Sequence, residues 1–133
     1  MIGRGALAGV ALLAAAVTAG AEPALQCQGA LKPWVVAELL FGRTGVTDAR
    51  WAKFLAAEVT LRFPDGLTVL DARGQWRAPG GTRIVRERSK VLMIAMPPHA
   101  DNDAKLNAIA AAYKTQFRQQ SVGIIVRPAC VAF

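Results

Sequence analysis

The sequence predicts one α+β domain whose elements run β-α-β-β-α-β. Three observations carry that expectation. Two segments place apolar residues at helical spacing, four apolar or alternating runs are bounded by Gly and Pro, and the length beyond an N-terminal leader suits a single core.

The chain of 133 residues opens "MIGRGALAGVALLAAAVTAGAEP". One cation, Arg4, precedes an apolar run from about Gly5 to Val17, and small residues follow to Ala19-Gly20-Ala21. This is the pattern of a secretory signal peptide over residues 1–21, with an Ala-x-Ala cleavage site after Ala21. The run is shorter than the roughly 20 residues that a transmembrane helix needs, so no transmembrane segment is expected after cleavage. Residues 22–133 then form one domain, periplasmic or secreted.

Trp34 to Phe41 ("WVVAELLF") reads as a strand closed by Gly42, with Glu38 its one charge. Thr47 suits a helix N-cap and Asp48 the first turn, and Trp51, Phe54, Leu55 and Val59 follow the 3.6-residue period. The helix must stop before Phe63-Pro64. Asp65-Gly66 turns the chain into a second strand, Leu67 to about Trp76, with Gly74 as an interruption. "RAPGGT" (Arg77 to Thr82) has hairpin-loop composition, and a third strand runs from about Arg83 to Met96 until Pro97-Pro98. Asp101 or Asp103 is placed to cap a second helix lined by Leu106, Ile109, Ala110, Tyr113 and Phe117. Ser121 to Arg127 forms the last strand, ended by Pro128. With right-handed crossovers this order is the ferredoxin-like plan: a four-stranded antiparallel sheet in spatial order 4-1-3-2, with two helices on one face. The other face is left for ligand, solvent or a second subunit.

Two cysteines, Cys27 and Cys130, sit near the ends of the mature chain. In an exported protein they are read as one disulfide pinning both termini. A bacterial lipobox places Leu three residues before its cysteine and a small residue directly before it. "ALQC" has Leu25 two before and Gln26 adjacent, which argues against lipid attachment at Cys27.

The formal net charge of +7 falls by only one unit when Arg4 leaves with the leader. A basic surface keeps a small domain soluble, and it also attracts anionic ligands or envelope components. Lys and Arg are spread through the chain rather than blocked, and no nucleic-acid motif is visible, so nucleic acid is not expected as a partner.

The strings "ELLFGR", "WAKF", "RFPDGLTVLDARGQWR", "RERSKVL" and "YKTQFRQQSV" together resemble the bacterial family known as domain of unknown function 3574. The resemblance spans almost the whole mature chain. It implies an exported or envelope-associated protein and brings no activity and no catalytic residues.

The densest charge is "VRERSKV", Val85 to Val91. Side chains alternate faces along a strand, so Arg86, Arg88 and Lys90 share one face and Glu87 and Ser89 the other. If Val91, Met93 and Ala95 face the helices, the basic triplet lies on the open face with Glu38 as counter-charge. Glu87 then points inward, where a carboxylate must be paired or protonated. Arg62 is a candidate partner; an interior ion pair and a general acid or base in a small cavity are the two readings of Glu87. In the stretch Arg62 to Arg77, Asp65 fits turn chemistry and Asp71 and Gln75 are further polar candidates. Trp76, beside Gln75, suits packing under the hairpin, a dimer contact or a ligand wall. His99, Asp101 and Asp103 are explained by a helix start; the chain has no Cys/His cluster, EF-hand spacing, phosphate loop, dinucleotide fingerprint or nucleophile elbow, so no metal or cofactor is expected.

The sequence therefore points to an exported binding or interaction module, a homodimer through the open sheet face being one form of it. The alternative is a cofactor-free enzyme of the dimeric α+β barrel kind. Its cavity would lie between sheet and helices, with Glu87 as acid or base, Arg62 and Arg88 as anion clamps and Tyr113 as a further polar group.

Overall fold

The structure is a computed structural model that describes residues 24–133. The expected leader and its cleavage site lie outside the described residues. Strand β1 (Lys32–Gly42) leads to helix α1 (Asp48–Phe54), which continues as a π-helical segment, Leu55–Thr60. A hairpin follows, β2 (Thr68–Arg77) and β3 (Ile84–Met96), then helix α2 (Asn102–Phe117) and strand β4 (Gly123–Val131). The sheet is antiparallel throughout, in the order β2-β3-β1-β4. This is the ferredoxin-like plan expected from the element order, with β1 and β3 central and β2 and β4 at the edges.

Thr47 caps α1, its side chain accepting the Arg50 amide at 3.3 Å. Beyond Phe54 the next fully buried residue of this helix is Val59, five positions on. A π turn brings residues at this spacing close together, whereas an α-helix would set Phe54 and Val59 at opposite edges of a broad stripe. Helix α2 begins at Asp101 without a side-chain cap; Asn102 instead donates to the Pro97 carbonyl at 2.9 Å. Strand β4 runs through Pro128, where the sequence suggested an end. The strand pairs only with β1, and an edge strand tolerates a residue with no N–H to donate.

Ala37, Leu39 and Phe41 of β1 and Leu92, Ile94 and Met96 of β3 make the helix-covered face, and Leu39 lies opposite both Leu92 and Ile124. Above it, Phe41, Trp51, Phe54, Tyr113 and Phe117 form a contiguous ring cluster, most contacts being edge-on at 4.7–6.0 Å between centroids. Edge-on geometry sets positive ring edges against negative faces, so the cluster gains beyond its buried area. The space between sheet and helices is thereby filled. Tyr113 is fully buried and its hydroxyl donates to the Gly42 carbonyl at 2.7 Å, which satisfies that buried polar group. Burial pushes its phenol up to about 12.

The face assignment of β3 corrects the sequence reading. Val91, Met93 and Ala95 are only half-buried and lie on the open face; Leu92, Ile94 and Met96 face the helices. Val91 to Met96 is apolar without alternation, so β3 alone carries no parity signal. Register against β1 decides it. Arg86, Arg88 and Lys90 consequently sit on the helix-side face and Glu87 on the open face, which removes any buried carboxylate.

Cys27 and Cys130 are bonded, 103 residues apart in sequence, and no free cysteine remains among the described residues. Such a bridge fits an oxidising, non-cytoplasmic compartment. No helix among the described residues is long and apolar enough to cross a membrane.

Candidate functional site

Small residues on four strands hollow out the open face. Gly42 of β1, Ala72 and Gly74 of β2, Ser89 of β3 and Gly123 of β4 floor a groove of about 350 Å³. Leu40, Val91 and Trp76 wall it, and the loop Gln119 to Ser121 closes one end. Larger residues would fill it: a Cβ on Gly74 would lie 2.6 Å from the Ser89 hydroxyl, and one on Gly123 would lie 3.2 Å from Leu40 Cδ1. The Gln119 amide donates to the Thr44 carbonyl at 3.1 Å and so ties the loop to the β1–α1 turn.

Glu87 organises one end. Its Oε1 accepts the Trp76 indole N–H at 3.0 Å. Its Oε2 accepts the Thr44 backbone N–H at 2.9 Å and the Thr44 hydroxyl at 2.5 Å. The carboxylate thus binds together the end of β1, β2 and its own strand. It lies directly over Gly42, where a Cβ would come within 3 Å of three carboxylate atoms. Trp76 keeps 38% of its surface exposed, so its indole is oriented by Glu87 while a ring face remains open.

At the far end of the same face, Glu38 pairs with Arg127 of β4 at 2.8 Å. The Arg127 hydrogen bond holds the Glu38 carboxyl below its ordinary value. Glu38 is therefore on the open face as read from the sequence, but its partner is Arg127 and not the basic triplet. On the helix side, Lys90 pairs with Asp71 at 2.5 Å, and Asp48 pairs with Arg43 at 2.7 Å and lies 3.5 Å from Arg88. Both carboxyls are held low, Asp71 by the Lys90 hydrogen bond and Asp48 by the Arg43 one.

The residues proposed for an interior cavity do not converge. Arg62, just past the π-helical segment, pairs at 2.8 Å with Glu58 inside it, Tyr113 approaches Gly42 from the helix side, and Arg88 lies on the face opposite Glu87. Trp76 and Glu87 do meet. Gln75 lines the groove by position but its side chain shares the face of Arg86. His99 accepts the Asp101 N–H at 3.2 Å, as at a helix start. Sequence reasoning missed Gly42, Thr44 and Ser89. A usable signal was present in Gly42 and Gly74, since glycine inside a strand marks close approach by another group.

Residues 37–133 match the family model described as "Protein of unknown function (DUF3574)". The chain belongs to this family. No curated protein matches the family member described here in sequence. Among solved structures it is similar to a phage SAM lyase in complex with S-methyl-5′-thioadenosine, at 14% identity and a TM-score of 0.59, covering 82% of this chain and 95% of that one. The phage SAM lyase in its apo state matches at 15% identity and a TM-score of 0.56, covering 78% and 86% of the two chains. CutA from Synechococcus elongatus follows at 12% identity and 0.49, covering 74% and 83%. At these identities the likeness is one of fold.

Proposed function

We propose that this DUF3574 protein is a binding module of the periplasm that works through its open sheet face, with the groove beside Trp76 as the point of contact. The observation that carries the reading is the groove itself. Five small residues from four strands keep it open, and Glu87 fixes the wall that bears the exposed indole. Small concave sites with an aromatic wall and a few polar groups suit a small, partly apolar ligand. The fold is compatible with such a role, since the lyase that shares it holds S-methyl-5′-thioadenosine. Leu70 and Ile125, 49% and 45% exposed, continue the apolar surface beyond the groove, so a second copy of the chain is the natural competitor for the same face. Export is supported by the leader pattern and by the disulfide between Cys27 and Cys130. Both Glu87 oxygens are engaged by Trp76 and Thr44, which suits a positioning carboxylate better than a proton carrier.

Native and denaturing mass spectrometry on protein purified from the periplasm of an expressing bacterium tests this. A mature mass starting at Glu22, with either a retained small molecule or a dimer that Trp76→Ala abolishes, is the expected result. A monomer without retained ligand, unchanged by Trp76→Ala, refutes it.

A further inference from the structure

We infer that the helix-side face of the β2–β3 hairpin is an anion site for phosphate-class groups, built on Arg73, Arg86 and Arg88. This goes beyond the groove and lies on the opposite face of the sheet. Arg73 stands directly across from Arg88 and Gln75 directly across from Arg86, so all four side chains share one face. They line a depression of about 490 Å³ together with Gly74 and Glu87, whose carboxylate points to the other side. Like charges directly opposite each other across a strand pair are destabilising. The neighbouring carboxylates relieve this only in part. Asp71 is engaged by Lys90, whose side chain is only 12% exposed, and Asp48 by Arg43, whose side chain is 1% exposed. Arg88, 69% exposed, has only a 3.5 Å contact to Asp48, and among the described residues Arg73 and Arg86 make no ion pair. Two shielded cations thus consume the local negative charge and leave three guanidinium groups facing solvent.

Guanidinium groups present paired N–H donors that match the oxygens of phosphate in bidentate fashion, and an anion between Arg73 and Arg88 would turn their repulsion into shared attraction. Gln75 adds a neutral donor at the edge. The chemistry is that of a phosphate or diphosphate group, free or carried on a lipid headgroup.

Calorimetric titration and thermal melting with inorganic pyrophosphate, beside sedimentation with vesicles containing phosphatidylglycerol, test the assignment on the wild-type protein and on Arg73→Gln and Arg88→Gln. Saturable pyrophosphate binding that weakens at least about tenfold in each variant supports the site and a free ligand. Binding only to the anionic vesicles, with the same loss in the variants, supports the site and a headgroup. In either case Arg73→Gln should raise the melting temperature of the ligand-free protein by relieving the opposed charges. Absence of binding to both probes, or binding that the variants leave unchanged, overturns the inference. Arg73 borders the groove by position, but both substituted side chains project from the opposite face of the sheet, so a loss of the Trp76-dependent behaviour would not mimic this result.

Discussion

Replacing Gly42 by Ala should destabilise the protein only while Glu87 is present. The backbone at Gly42 is in the ordinary extended region, so alanine itself fits there. The obstacle is the carboxylate, whose Cδ would lie 2.8 Å from the new Cβ. Glu87 must swing away and give up the Trp76 indole and both Thr44 donors. Hydrogen bonds to charged groups contribute about 1.5–3 kcal/mol each when buried, and partial exposure lowers the combined loss here to about 2 kcal/mol. Against this, replacing glycine inside a strand gains about 0.5–1 kcal/mol. Gly42→Ala should therefore cost about 1–1.5 kcal/mol in the wild-type background and be neutral or stabilising alongside Glu87→Ala. Urea denaturation followed by circular dichroism on the four proteins of the cycle reads this coupling, expected at about 2 kcal/mol. Equal effects of Gly42→Ala in both backgrounds, with coupling below about 0.5 kcal/mol, would refute the idea that Glu87 clamps the sheet over this glycine.

Other consequences are open to measurement. The Tyr113 phenol is pushed up to about 12, against an ordinary value near 10, so the folded state keeps it neutral where the unfolded chain ionises. Its contribution is whole below pH 10 and is lost as pH rises to about 12, worth about 2–3 kcal/mol; Tyr113→Phe should show a shallower decline of stability across that window in denaturant titrations. Lys90 and Arg43 hold Asp71 and Asp48 low, so the stability these carboxylates lend is present above about pH 4 and lost as pH falls through their lower folded values. Asp71→Asn should flatten part of that acid limb. Replacing Cys27 and Cys130 by serine opens a loop of 103 residues and should cost about 2–5 kcal/mol, seen as a fall in melting temperature of about 10–20 °C.

Element order, strand order and the disulfide were all legible in the sequence, because Gly and Pro mark the turns and the two helices keep their apolar stripes. The faces of β3 were not. Six successive apolar residues from Val91 to Met96 carry no period of two, and only pairing with Leu39 and Phe41 tells which set is inside. From that one ambiguity came the misplacement of Glu87 and of the basic triplet. The site was half legible: Trp76 and Glu87 stood out by residue type, whereas Thr44 and Ser89 are ordinary until the sheet brings them beside the carboxylate and Gly74. The π-helical segment was invisible for a similar reason, since Trp51, Phe54, Leu55 and Val59 fit an α-helical stripe well enough to hide the wider turn.

The position of β1 also sets the order in which the domain can assemble. It is the most completely buried strand, yet both of its partners come later in the chain, β3 beginning at Ile84 and β4 at Gly123. As the chain is made from its N-terminal end, β1 appears first and stays unpaired on both edges while the first helix and β2 follow. Contacts this distant in sequence close slowly. The Cys27–Cys130 bond joins the same two chain ends that the β1–β4 ladder brings together. Once oxidised, it makes the last pairing to form the hardest one to undo.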